Sequence, residues 1–189
     1  MDWQSFEKSL PKKIKRTRKR PNVSGFDHEY IKKIDGKLNG KTCIIPGLTK
    51  NGKKKLANYV GHLCESATFG KTKSRFMKNA PIVDRAPNKL YPKLYKDLKQ
   101  IAETLFPDFN FNTITLNHNL KCKAHKDGNN VGDSIIIGFG DYKGGFLNIE
   151  GESFDIRYKP FKFNGALKTH YTEDFEGDRW SAVYFYRKV

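Results

Sequence analysis

His125 and Asp127 lie two apart in the run Lys123-Ala124-His125-Lys126-Asp127-Gly128-Asn129-Asn130. On an extended segment, side chains two apart point to the same face. One more imidazole from a distant segment would bring two nitrogens and one carboxylate to a point. That donor set binds non-haem Fe(II) and leaves coordination positions open for a co-substrate and O2. His170 is the only histidine after His125, so it supplies the second imidazole if there is one. By itself His170 reads more readily as a core or surface ring, and His125-x-Asp127 alone is a common coincidence. Arg179 and Ser181 repeat the two-residue spacing near the C-terminus. A guanidinium clamps a carboxylate through two parallel hydrogen bonds, and a hydroxyl beside it completes the cradle. The bland reading of Arg179 is a surface ion pair with Glu176 or Asp178. The order H-x-D, then His, then R-x-S is far more specific than any of its parts.

The segments that carry these residues read as strands. After Pro107 the apolar period changes from 3.6 to 2, predicting strands over 112–120, 123–127, 134–139, 146–149, 154–158, 161–164, 169–171 and 180–186. Turn residues separate them, among them Gly128-Asn129-Asn130, Gly144-Gly145 and Glu176-Gly177-Asp178. Before them, Leu94, Leu98, Ile101, Ala102 and Leu105 share one face of a helix expected over 91–105, with Pro92 in its first turn and Pro107 past its end. Another amphipathic helix is expected over 53–66 and a short strand within 37–48. Residues 69–78 read as a basic loop interleaved with aromatics, suited to base stacking or simply a loop. The expected fold class is α+β: a double-stranded β-helix (jelly-roll) barrel over 110–189, with helical support over 50–106.

With 189 residues, the chain suits a single domain over 23–189, preceded by a basic arm over 1–22 expected to be mobile. The formal net charge is +16, and residues 1–20 account for +6 of it, leaving the remainder at +10. The folded part is therefore basic in its own right, which favours nucleic acid or another polyanion as partner. No run of 18 apolar residues exists, so no transmembrane helix is expected, and no apolar leader is visible. Cys43, Cys64 and Cys122 are an odd set without paired spacing, reading as reduced thiols of an intracellular protein, in a nucleus or a prokaryotic cytoplasm. A monomer is favoured.

Over roughly residues 110–189 the sequence resembles the 2-oxoglutarate- and Fe(II)-dependent dioxygenases, most of all the TET/JBP group, which oxidises the 5-methyl of pyrimidine bases. The likeness is carried by His125 to Ser134, Gly138-Phe139-Gly140-Asp141-Tyr142-Lys143-Gly144-Gly145, Phe163-Asn164-Gly165 before His170, and Arg179-x-Ser181. It implies Fe(II) on His125, Asp127 and His170, with 2-oxoglutarate on Arg179 and Ser181 and O2 as oxidant. Asn130 matches the position of a base-contacting Asn, and Arg85 a looser upstream contact. DNA is implied as substrate in preference to RNA. The Cys-rich zinc region of animal TET enzymes is missing, and the second Arg of the AlkB branch is replaced by Phe185. Two alternatives stay open: a prolyl or lysyl hydroxylase on the same fold, and a non-catalytic nucleic-acid-binding barrel.

Overall fold

Ile135-Ile136-Ile137-Gly138-Phe139 looks like a strand buried on both faces, because its apolar run does not alternate. In the computed structural model, which describes residues 1–12, 14, 65–73 and 79–188, this is the case. The run ends strand β4 (Asn130–Phe139), inside a six-stranded antiparallel sheet of order β2-β1-β3-β11-β4-β8. Its other members are β1 (Glu65–Thr72), β2 (Val83–Asp84), β3 (Thr113–His118), β8 (Phe161–Phe163) and β11 (Trp180–Arg187). Ile135, Ile137 and Phe139 enter the main core together with Ile114, Leu116, Ala182 and Tyr184. Ile136 points the other way, into a second cluster with Leu147, Ile149, Ile156 and Phe163.

Helix α3 (Pro92–Leu105), which follows the short α2 (Ala86–Leu90), covers the first face. Its buried Leu94, Leu98, Ile101 and Ala102 belong to the main core, and the fully buried Tyr184 hydroxyl donates to Leu98 O at 2.9 Å. The opposite face is covered by a three-stranded sheet of order β7-β6-β9: β6 (Leu147–Ile149), β7 (Glu152–Phe154) and β9 (His170–Thr172). The chain alternates between the sheets: β3, the segment through His125, β4, then β6 and β7, β8, β9 and β11. Four strands, β3-β11-β4-β8, lie on one side, while the His125 segment pairs with β9 on the other. This is a double-stranded β-helix. The ribbon β5 (Tyr142–Gly144) with β10 (Phe175–Gly177) stands apart from both sheets.

Several expectations need correcting. Residues 1–12 and 14 are not a free arm: Trp3–Lys8 form helix α1, capped by the Asp2 carboxylate accepting from Ser5 N at 3.1 Å. Phe6 and Ile14 are buried in the main core, and Trp3 stacks on Phe139. Glu7 Oε1 accepts from Gly140 N at 2.7 Å and from the Tyr158 hydroxyl at 2.8 Å. The charge of the segment hid three apolar anchors. Residues 69–72 are not a loop but the end of β1, where Phe69 is wholly buried against Tyr95; Phe69 is core, not a base-stacking platform. Glu65 and Ser66, placed at the end of a helix by periodicity, begin that same strand. The expected strand over 123–127 shrinks to a bridge at His125, and that over 154–158 to the end of β7 and a bridge between Gly138 and Arg157. The expected strand within 37–48, most of the helix over 53–66 and residues 15–22 of the arm lie outside the described residues.

Phe6→Ala should lower the free energy of unfolding by about 3 kcal/mol in urea denaturation. An unchanged midpoint would show that α1 does not dock in solution.

Candidate metal centre

The His125 segment and β9 are locked by reciprocal backbone bonds: His125 N to His170 O and His170 N to His125 O, both 3.0 Å. A hydrogen-bonded antiparallel pair puts its two side chains on one face, so the two imidazoles are neighbours by construction. Their ring centroids lie 4.4 Å apart. Asp127 is brought in by a different bond, its N–H donating to Gly165 O at 2.8 Å in the turn before β9. Its carboxylate oxygens then stand 3.7 Å from His125 Nε2 and 3.6 Å from His170 Nε2. The three ligand atoms all lie within 4.8 Å of one another, the only such group among the described residues.

Ligands about 2.1 Å from a shared ion stand about 3.0 Å apart at a right angle and about 4.2 Å apart when opposed. The two carboxylate–imidazole separations fall inside that range. Each imidazole is also oriented for the task. His125 Nδ1 lies 2.7 Å from Lys123 O, and His170 Nδ1 lies 3.0 Å from Lys168 O. A carbonyl can only accept, so each Nδ1 carries a proton and Nε2 is the nitrogen turned toward Asp127. Burial works against charging His170, but its bonds to Asp127 and to the Lys168 carbonyl outweigh it and raise the imidazole above its ordinary value. Two imidazoles and one carboxylate make a facial triad. The residues fit Fe(II).

The triad borders a cavity of ≈ 210 Å³ between the two sheets. Its walls include Thr115 and Asn117 from β3, Ile136 from β4, Ser181, Val183 and Phe185 from β11, and Cys122 and Thr172. Burial pushes the Cys122 thiol up to about 12, with Arg179 nearby pulling it down. Asn130 also lines the cavity, its amide reaching Asp127 Oδ2 at 3.5 Å and Ser134 Oγ at 3.3 Å. Gly165 leaves no room to spare: a Cβ there would lie 3.2 Å from His170 Cε1 and 3.1 Å from Phe163.

Arg179 immediately precedes β11, two residues before the cavity-lining Ser181, and does not itself line the cavity. It is 2% exposed; its Nε donates to Gly145 O at 3.2 Å, and its guanidinium sits over the rings of Tyr142 and Phe175, each at 5.4 Å. Asp178 itself bonds His118, Asn119 and the Trp180 indole. A residue that sequence reasoning missed is Tyr142. Its hydroxyl is buried without a hydrogen-bond partner, and its ring packs on Arg179. An orphaned hydroxyl beside a buried guanidinium fits an anionic group such as the distal carboxylate of 2-oxoglutarate. An aromatic in a Gly-rich turn gives no sequence signal for that. Arg85 lies elsewhere: it precedes α2, donates its N–H to Gly70 O at 2.9 Å, and does not line the cavity.

No protein family and no curated protein sequence matches the chain. Among solved structures, NgTET1 in complex with 5mC DNA is similar over 86% of this chain and 69% of that one, at 14% identity and a TM-score of 0.46. A 2OG-Fe(II) oxygenase family oxidoreductase from Burkholderia pseudomallei is similar over 67% of this chain and 69% of that one, at 16% identity and TM-score 0.44. OsALKBH1 is similar over 66% and 78%, at 12% identity and TM-score 0.40. Strand order and the three ligand atoms, rather than likenesses this distant, carry the functional reading.

His125→Ala and Asp127→Ala should each weaken Fe(II) binding in anaerobic titration calorimetry by more than the roughly 10–100-fold that loss of an outer-shell partner costs. Affinity equal to wild type would remove the metal assignment. Gly145→Ala would set a Cβ 2.7 Å from Arg179 Nε in a backbone of φ +67°. It should weaken 2-oxoglutarate binding while leaving Fe(II) affinity unchanged; equal loss of both would point to general unfolding of the β5 ribbon.

Proposed function

We propose that the protein is an Fe(II)- and 2-oxoglutarate-dependent dioxygenase acting on nucleic acid, and that it hydroxylates the 5-methyl group of a pyrimidine base in DNA. The observation that carries the reading is the triad itself, with both Nδ1 atoms tied to backbone carbonyls and both Nε2 atoms turned toward Asp127 at the edge of a cavity between two sheets. Iron with 2-oxoglutarate supplies O2 activation and the oxidising equivalents for attack on a C–H bond.

The chain's own residues supply position and exclusion. His125, Asp127 and His170 would hold the metal at the edge of the cavity. Arg179, Tyr142 and Ser181 would anchor the co-substrate's distal carboxylate on the β11 side. Val183, Ile136, Phe163 and Leu147 provide apolar wall that keeps water from the reacting centre. Asn130, beside Asp127 and facing the cavity, would offer its amide to the hydrogen-bonding edge of a base. A base inside a duplex must leave the stack to reach such a site. The charge of +16 supports a polyanionic substrate, whose binding should weaken steeply with salt.

Incubation with Fe(II), 2-oxoglutarate and DNA containing 5-methylcytosine or thymine should yield succinate together with the hydroxymethyl base, read by mass spectrometry. Arg179→Ala should reduce turnover by at least about tenfold, partly recovered at high 2-oxoglutarate. Succinate coupled only to a protein substrate would move the assignment to a side-chain hydroxylase, and triad-independent DNA binding with no succinate would indicate a non-catalytic barrel.

A further inference from the structure

The turn between β8 and β9 borders the metal centre without contributing a ligand of its own. Gly165 O accepts the N–H of Asp127, and Lys168 O accepts from His170 Nδ1, so the turn is fastened to two of the three ligands. Within it, Asn164 holds the chain from inside. Its carbonyl accepts from Leu167 N at 3.3 Å and Lys168 N at 2.9 Å, and its side-chain oxygen accepts from Leu167 N at 3.2 Å. On the outside of this braced turn stands Leu167, 69% exposed, the most exposed large apolar side chain among the described residues.

An exposed leucine is ordinary on its own. This one stands on a turn held by hydrogen bonds at both ends, three residues before a metal ligand, and exposed lysines lie in the turn and in the segment bonded to it. Lys168 follows it directly. Lys126 sits between the two ligands His125 and Asp127, and Lys123 lies two residues before His125. All three lysines are exposed, and none makes an ion pair among the described residues. An exposed apolar tip with exposed lysines at Lys168 beside it and Lys126 on the segment bonded to its turn is a poor match for an apolar protein groove and a good one for stacked bases flanked by phosphates. Proteins that distort DNA insert Leu, Phe, Ile or Met between base steps, with Lys and Arg on the adjacent backbone.

We infer that Leu167 is the residue that enters the base stack of a nucleic-acid duplex and fills the space left by the extruded base, while Lys126 and Lys168 hold the flanking phosphates. This rests on the reading of the site as a base dioxygenase and adds how a paired base reaches it. Rigidity is what makes the turn suitable. A side chain already fixed relative to His170 and Asp127 sets the distance between the emptied position in the stack and the metal, with no further ordering on binding.

The test compares one methylated sequence as duplex and as single strand, using the full chain. In the duplex, 2-aminopurine placed next to the target reports unstacking by fluorescence, in the presence of Fe(II) and 2-oxoglutarate without O2, so that no turnover is needed. Wild type should brighten the probe on binding. Leu167→Ala should bind the duplex within about threefold but leave the probe dim, and should lose at least about tenfold of its turnover on duplex while keeping it on single strand. Leu167→Met should restore both. Equal brightening by wild type and Leu167→Ala, or equal loss on duplex and single strand, would overturn the role of Leu167 while leaving the enzyme assignment standing. Wild type without activity on either strand form would overturn the base-dioxygenase reading and this inference with it. Lys126→Gln with Lys168→Gln should lower the salt slope of duplex affinity by about two, one for each lost phosphate contact; an unchanged slope would remove the phosphate role.

Discussion

Two backbone hydrogen bonds between His125 and His170 set the geometry on which the rest depends. They join segments 45 residues apart in a single antiparallel pair and so fix two imidazoles on one face before any metal is present. The imidazoles then use the backbone again, each returning Nδ1 to the carbonyl two residues before it. Register, ring orientation and tautomer therefore all come from main-chain groups. Side chains that do no chemistry are spared the task and can shape the cavity instead. The two sheets supply what such a bond needs, a rigid support on each side: β4 and β11 with their isoleucines and Tyr184 on one, β6 and β9 on the other.

Much of the barrel was legible because period-2 patterning separated by Gly and Asp turns is a strong local signal. β3, β4, β8 and β11 fall within a few residues of their expected positions, and α3 within one. The grouping of His125, Asp127 and His170 was legible for another reason, since few histidines follow residue 120 and the spacing of the acid is fixed. What the sequence hid was tertiary. Lys123–Asp127 alternates like a strand, yet Asp127 leaves the ladder to bond Gly165, which is how the carboxylate reaches both rings. The orphaned hydroxyl of Tyr142 depends on which ring packs over Arg179, and no local pattern encodes that.

Charge misled at the two basic stretches. In residues 1–14 the lysines drew attention from Trp3, Phe6 and Ile14, whose spacing places all three against the main core. At Phe69 to Thr72 the Lys and Gly suggested a loop, whereas Ala67 and Phe69 alternate inward on β1. In both, two or three buried apolar side chains outweigh several exposed charges, because solvated lysines cost the folded state little while buried aromatics contribute strongly.

The docking of α1 also has a kinetic meaning. Glu7 finds its partners Gly140 and Tyr158 at sequence separations of 133 and 151 residues. A chain made from the N-terminus releases Trp3, Phe6 and Glu7 before their partners and can seat them only after most of the barrel exists. For that interval the segment travels undocked beside the ribosome, and closing it is a step of very long range. Whatever is fused to the N-terminus is thus carried to the seam where β4 meets the 158 turn, on the covered side of the main sheet and away from the metal centre.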